Sequence, residues 1–591
     1  MDKHQLDHIE YVTNDEGDLS YAVDPVDAQQ LTVLDSMGQD PNERQAIPLK
    51  AILVILVTAV AQFNNTWYAV APASNAYTIA AALNGNDKRI WIVQAAGIPS
   101  IVTGPIVAII ADLYGRRNAM VILSLLGAIA SIVCMTAHNI DVVIVGQTLN
   151  GVAAGISGLL FAVPSEVVPT HYRSIIQGIL SVFAGMGAIG ALIFVSLAVD
   201  NDPVDGWRWT WRAQLICNGL MFLGYAFLYN PPPRTHSGLT RWQRFTHLDW
   251  VGYGLLTGGL APLLMGFAWA SDINYGWSDP HAYGCVVAGA VVIWEWKGTS
   301  TGFLHHAMFR QGNNFALLIF TFAVEGHMFY AINNMYSAEA VGVWFATAPA
   351  LKQAASMIPM FACTMVFTPM FAIYSTLRKD LKWPVVFGIL AFLVATIGLA
   401  TTTAESWIRA LAFNGVAGLG FSSLLMMLMT LVQLSAPPLF IGAASSLAIS
   451  ARFLGGTVGY GISSVIYNNI YNARMPAKVA AAVAPLGFDM RNIGALIVGL
   501  LSHDTSSVPG LTPEVLGAAS AANAEASSYA YNRIWWATIP AVVLALVGIM
   551  LIKDPAYKMD WVVDAPLEKV QHVHGSGKAA EEGAIKAAEA K

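Results

Sequence analysis

Charge is the scarcest property of this chain. Lys, Arg, Asp and Glu make up 12% of its 591 residues, about half the quarter usual in a soluble domain. Hydrophobic residues make up 55%, and the mean hydropathy is +0.54. An ordinary soluble fold is therefore excluded. Cysteine is also scarce. Cys134, Cys217, Cys285 and Cys363 stand singly in four different apolar runs, which gives neither a disulfide framework nor a metal-ligand spacing; they read as small buried apolar residues. No stretch alternates apolar and polar residues over the roughly ten positions of a barrel strand, which excludes a β-barrel. Residues 1–46 contain no apolar h-region, so they are not a signal peptide. The chain also lacks a phosphate-binding loop. "HGSGK" (574–578) has the wrong spacing, so an ATP-driven pump with its own nucleotide domain is excluded. "GMGAIG" (185–190) matches a dinucleotide fingerprint but lies inside an apolar run, with no strand before it. Its glycines read as helix-packing positions. "NNT" (64–66) is a glycosylation triplet buried within a membrane run. No metal, cofactor, nucleotide or nucleic-acid partner is expected.

What the chain does have is long apolar runs. Fourteen are long enough to cross about 30 Å of hydrocarbon: 49–71, 90–110, 119–138, 142–163, 175–199, 211–229, 250–270, 281–297, 314–336, 349–375, 384–403, 407–434, 443–468 and 530–552. The fold class is all-α polytopic membrane protein. With both ends inside, eleven Lys and Arg lie in the short inner connections and six in the outer ones, in agreement with the positive-inside rule. Residues 1–46 carry eleven acidic residues against Lys3 and Arg44 and read as a disordered acidic inner tail. The basic, Pro-rich stretch 230–249 reads as a hinge between two bundles. Residues 471–529 read as a long outer loop holding short helices, and 554–591 as a second inner tail with a low-complexity end.

The most informative motif is "ADLYGRRNAM" (111–120), in the short inner turn between the second and third runs. Gly115 permits a tight turn, Arg116 and Arg117 anchor the inner face, and Asp112 can pair with Arg or accept from helix-end N–H groups. The motif resembles the signature loop of the major facilitator superfamily, with Ala108 where the family has Gly. "PSEVVPTHYRS" (164–174) resembles the family's second inner loop, with Glu166 and Arg173 able to pair. "GQTLNGVAAG" (146–155) is similar to the fourth-span motif but has Gln147 at a position where many members carry Arg. The fifth span has no Gly-Pro pair of the kind drug antiporters usually carry. "LAISARFLGGTVGYGISSVIYNNIY" (447–471) resembles the fungal branch typified by trichothecene efflux pumps, which neighbours the siderophore–iron transporters. The resemblance covers about 45–555. It implies a six-helix bundle at 47–230, a linker with two inserted helices at 231–300, and a second six-helix bundle at 301–553. It also implies that Asp112, Gly115, Arg116, Arg117, Glu166 and Arg173 form a conformational latch.

Within the runs, "FTFAVEGHMFYAINNMY" (320–336) holds Glu325, His327, Asn333 and Asn334. A charge at mid-membrane depth costs about 2.5–3.5 kcal/mol on insertion scales, so it has to be sheltered or neutralised. On a regular helix Glu325, Phe329 and Tyr336 share one face, and His327 and Asn334 lie nearly opposite. Glu325 and His327 therefore cannot form one compact site. Each is either a proton or substrate group or a satisfied packing residue. Arg452 either holds an anionic substrate, pairs with an acid such as Glu325, or snorkels to the inner face. Gln62, Asn64, Asn65, Trp67 and Tyr68 in the first run, Gln147 and Asn150 in the fourth, and Asn414 in the twelfth are amides and aromatics suited to a bulky, oxygen-rich organic molecule.

The expected function is proton-coupled secondary transport by a monomer in the plasma membrane, or alternatively a vacuolar or vesicle membrane. Its partners are a small organic substrate, protons and the lipid bilayer. Export of a fungal secondary metabolite, toxin or xenobiotic leads. Proton-driven siderophore–iron uptake and a non-transporting nutrient receptor are the alternatives, and no enzyme activity is expected.

Overall fold

A computed structural model describes residues 10–13, 19–22, 47–85, 88–202, 204–231, 250–271, 279–295, 309, 313–346, 348–436, 440–502, 508–561 and 563. The basic stretch 232–249, Lys297, Arg310, "HGSGK", the low-complexity end and most of the acidic N-terminal segment lie outside these. Within that segment, where disorder was expected, Glu10–Thr13 and Leu19–Ala22 form one short antiparallel pair, with Glu10 opposite Ala22. Both pieces, "EYVT" and "LSYA", contain strand-favouring residues.

Most of the other described residues are helical. The first bundle comprises α1 (Leu49–Ser74), α2 (Trp91–Tyr114), α3 (Arg116–Met135), α4 (Ile140–Glu166, with a 3-10 step at Ala154–Ile156), α5 (Arg173–Asn201) and α6 (Trp209–Phe227). α7 (Trp250–Ser271) and α8 (Pro280–Glu295) pack on each other, and α7 rests on α2 through Ile98, Ile101, Leu260 and Leu264. The second bundle comprises α9 (Asn314–Trp344), α10 (Ile358–Arg378), α11 (Lys382–Leu399), α12 (Trp407–Ser435), α13 (Ile441–Val483) and α15 (Pro513–Leu551), with α14 (Ile493–Ser502) between the last two. In the first bundle α1 packs on α5 and α6, α2 on α4, and α3 on α6; in the second α9 packs on α13, α12 on α10 and α11, and α13 on α15.

Among the described residues twelve helices are long and apolar enough to cross a membrane, not fourteen. The sixth and eighth expected spans fall on α6 and α8, which do not meet that measure. The described part of α8 is 16 residues long. The tenth run is also broken: Ala350–Ala355 is a separate turn of helix before α10, so Lys352 lies off the membrane helix.

The stretch 471–529, expected as an outer loop holding short helices, is made largely of the end of α13, α14 and the start of α15, and the helices at its two ends are long. At 1.5 Å per residue the 43-residue α13 runs roughly 65 Å, twice the hydrocarbon thickness. Its Ala-rich second half carries low hydropathy but the best helix propensity. It packs against the start of α15 and α14 in a separate core of Tyr471, Met475, Val479, Val483, Leu496 and Val515. The glycines of "GMGAIG" do pack helices: a Cβ at Gly187 would run into the Phe63 backbone of α1, and one at Gly185 into Met365 of α10.

Candidate functional site

Three places along the bundles hold buried charge. The first is the α2–α3 turn, here called the latch end. Gly115 has φ +98°, and a Cβ there would meet nothing within 4 Å, so backbone conformation alone demands glycine. That turn sends Arg116 back into the protein at 2% exposure, where its Nε and Nη2 donate to Asp112 Oδ1 at 3.0 and 2.8 Å and its Nη1 meets Glu166 at the end of α4. Arg173 donates to the Ser165 carbonyl at 3.2 Å, and Arg117 donates to the Ala226 carbonyl at 2.5 Å, tying α3 to the end of α6. The second bundle docks onto this cluster. A Cβ at Gly442, in the first turn of α13, would lie 2.7 Å from Asp112 and 2.8 Å from Arg116. The Asp112 carboxylate thus faces a helix N-terminus, where negative charge is favoured.

Nearby contacts also join the bundles. Gln433 of α12 donates to the Phe161 carbonyl at 3.2 Å, and Ser450 of α13 to the Ile101 carbonyl at 3.2 Å. The residues after α15 were read as the start of a free tail, but Asp554–Trp561 fold back on the protein. Asp554 accepts from the backbone N–H groups of Leu381 and Lys382. Thr170 donates to Asp560 Oδ1 at 2.6 Å, and Trp561 packs on His171 and Tyr172.

The second place lies about three turns into both α9 and α13, roughly 16 Å from the latch end and near half the depth of a bilayer. Glu325 and Arg452 form a bidentate pair, Nε to Oε2 at 2.6 Å and Nη2 to Oε1 at 3.1 Å, with side-chain exposures of 1% and 11%. The Arg452 guanidinium also lies 4.3 Å from the Phe329 ring centre. The acid partner expected for Arg452 is thus Glu325. The helices meet on glycine: a Cβ at Gly326 would strike the Arg452 backbone, and one at Gly459 the His327 ring. His327 is thereby on the other flank of the seam, its Nδ1 buried with no hydrogen-bond partner.

Regular helix geometry ends at Tyr330. Ala331–Tyr336 and Ala340–Trp344 are π-helical, which shifts the phase of everything beyond. Tyr336 therefore leaves the Glu325 face on which regular spacing had placed it. It is fully buried, with its hydroxyl 3.4 Å from the Ser356 carbonyl. Asn333 and Asn334 are half-buried inside the first π segment.

The third place was missed in the sequence. Glu339 lies between the two π segments, fully buried, with Oε2 accepting from Trp535 Nε1 of α15 at 3.0 Å. The ninth run had been ended at 336, which put Glu339 in a loop. The available signal was that hydropathy stays high through "AVGVW" beyond it.

The amides expected to line a substrate cavity divide into two sets. Asn64, Asn65, Tyr68 and Asn150 line a cavity of about 30 Å³ inside the first bundle, with Gln214 and Asn218. That volume suits a water and is far below the roughly 300 Å³ of a small-molecule site. Gln62, Trp67, Gln147, Phe329, Tyr336 and Asn414 are not among its lining. Gln147 donates to the Ile92 carbonyl at 2.8 Å and accepts from Asn150 and Trp211, while Trp67 donates to the Thr210 carbonyl. Asn414 is fully buried in α12, without a hydrogen-bond partner.

Comparison with known proteins gives concordant results. The family model described as Major Facilitator Superfamily matches residues 53–460. The chain is 21% identical over 461 residues to the trichothecene efflux pump TRI12 of Fusarium sporotrichioides, covering 75% of this chain and 76% of that one. It is 24% identical to the efflux pump FUS6 of Gibberella fujikuroi, covering 70% and 74%. Among solved structures it is similar to the proton:xylose symporter XylE, with TM-score 0.50, 15% identity and coverage of 85% and 96%. It is also similar to an auto-inhibited peptide transporter of the POT family, with TM-score 0.51, 12% identity and coverage of 86% and 98%. These structural likenesses bear on the fold alone.

Proposed function

Because this chain belongs to the Major Facilitator Superfamily, we propose that it is a proton-coupled exporter of a secondary metabolite, toxin or xenobiotic, working as a monomer by alternating access in the plasma membrane. The efflux pumps among its relatives favour export over iron–chelate uptake. The observation that carries the mechanism is the contrast between the latch and the mid-depth pair. Asp112, Arg116 and Glu166 hold the first bundle against the N-terminus of α13, and the same helix carries Arg452 to Glu325 three turns further in.

The latch end is the cytoplasmic end, with both termini there, in keeping with the Lys and Arg bias of the connections. Opening toward the cytoplasm requires α13 to leave Asp112 and Arg116. A substrate oxygen that takes Arg452, or a proton that takes Glu325, loosens the pair on α13. Energy put into the pair thus reaches the latch through one rigid helix. Each ligand shifts the equilibrium by its differential affinity for the two states.

The test is expression in a yeast strain stripped of its own pumps. Lower retention of a labelled trichothecene or of rhodamine 6G, restored by a protonophore, is expected. Accumulation of a ferric hydroxamate with unchanged retention of the other two would instead establish uptake.

A further inference from the structure

The relation between Glu339 and its surroundings differs from that of every other buried charge described above. It is fully buried. One oxygen, Oε2, has the indole N–H of Trp535; the other, Oε1, has no hydrogen-bond partner. Thr402, in the turn after α11, faces the carboxylate, but its single hydroxyl proton is directed to the Leu399 carbonyl at 2.7 Å, with Asn532 Oδ1 as its other acceptor at 3.5 Å. No ion pair among the described residues includes Glu339.

The titratable groups within electrostatic reach are phenols: Tyr336 on α9 and Tyr531 on α15, with Tyr460 and Tyr467 of α13 behind Tyr531. α12 contributes Asn414, which does not titrate. The cations carried by these elements are turned elsewhere: Arg409 donates to Thr401, Arg533 to Tyr529, Arg452 pairs with Glu325, Arg474 lies over the Tyr529 ring and Lys478 pairs with Glu525. A carboxylate charge in this setting has one indole N–H and no cation among the described residues to replace its lost hydration.

The backbone adds an independent sign. Glu339 sits in three residues of α-helix flanked by two π segments, a distortion that recurs at functional positions. It also lies far from the latch, beside the α11–α12 turn, where Trp344 donates to the Thr403 carbonyl at 3.2 Å.

We propose that Glu339 is a proton-binding site of this transporter, holding a proton on Oε1 while the end of the bundle opposite the latch is closed over it. An O–H bond forms at Oε1 from a hydronium of the water at that end, and Oε2 keeps the indole hydrogen bond. When the end opens, water solvates the carboxylate and takes the proton back. Closure of that end is thereby tied to protonation, and on the orientation proposed above the proton comes from outside the cell. The site is distinct from Glu325, whose charge is met by Arg452.

Infrared difference spectroscopy on the full chain in lipid nanodiscs, titrated with pH in H2O and D2O, tests this without any substrate. A protonated-carboxyl C=O band is expected near neutral pH. It should persist in Glu325→Gln and vanish in Glu339→Gln, whose amide can still accept from Trp535. Trp535→Phe should shift the band by removing its hydrogen bond, which gives a reading even if the Gln variant fails to fold. A band that survives Glu339→Gln, or is absent from the unmodified protein, or is unmoved by Trp535→Phe, overturns the proposal. None of these outcomes depends on export, so failure of the export reading shows separately, as unchanged retention in the yeast assay.

Discussion

Helix α9 buries two carboxylates and treats them in opposite ways. Glu325, at mid-depth, is held by two nitrogens of a guanidinium that itself lies over an aromatic ring. Glu339, near the far end, has one indole N–H and an empty second oxygen. The difference teaches that a Glu in a membrane helix is not one kind of feature. With a cation as partner it ties two helices together. With only a neutral donor it becomes a place where a proton can come and go.

The sharpest way to break the comparison is to remove the cation. Arg452→Ala leaves Glu325 buried and unpaired. Breaking a buried pair from one side costs about 3–5 kcal/mol, so a large drop in thermal unfolding temperature in detergent is expected. Replacing both partners, with Glu325→Leu and Arg452→Met, should recover most of that loss, because an apolar pair needs no compensation. If the double variant is as unstable as the single one, the pair is not what holds this part of α9.

A smaller effect is expected on the other flank of the same seam. Gly459→Ala pushes a methyl into the His327 ring, and overpacking of this kind costs about 1–3 kcal/mol. Adding His327→Ala removes the ring and should give back much of the loss, which a double-mutant cycle measures. Additive losses would mean that the glycine serves the backbone rather than the ring.

Much of this was legible in the sequence, for identifiable reasons. Apolar runs located the helices because a membrane helix must satisfy its own backbone within one segment. Gly115 marked a tight turn because few residues tolerate positive φ, and the latch role of that turn came from the family resemblance of "ADLYGRRNAM". Arg452 and Glu325 each stood out as a lone charge in grease, and opposite signs suggested a partnership. Its geometry, across 127 positions of chain, came only from the packing of α9 on α13. Two of the departures share a cause. Glu339 and the second half of α13 lie beyond the length a straight helix needs to cross the bilayer, so a hydropathy reading stops before reaching them. The π segments are set by packing and have no periodic signal. The amides were read as a cavity lining, but side-chain composition does not distinguish a wall from an internal hydrogen-bond network such as that of Gln147, Asn150 and Trp211.

The smallest expected effect is the most discriminating for Glu339. Trp535 is fully buried, so Trp535→Phe by itself loses packing as well as a hydrogen bond, and its raw cost is not informative. A cycle of Trp535→Phe with Glu339→Leu isolates the contact. A hydrogen bond between neutral partners contributes about 0.5–1.5 kcal/mol, and one to a charged group about 1.5–3 kcal/mol. A coupling near 1 kcal/mol, read from unfolding of the full chain at neutral pH, is expected if Glu339 carries its proton. The upper range would mean an ionised carboxylate. The two carboxylates of α9 would then differ in partner but not in charge, and the far end of the helix would need another source of compensation.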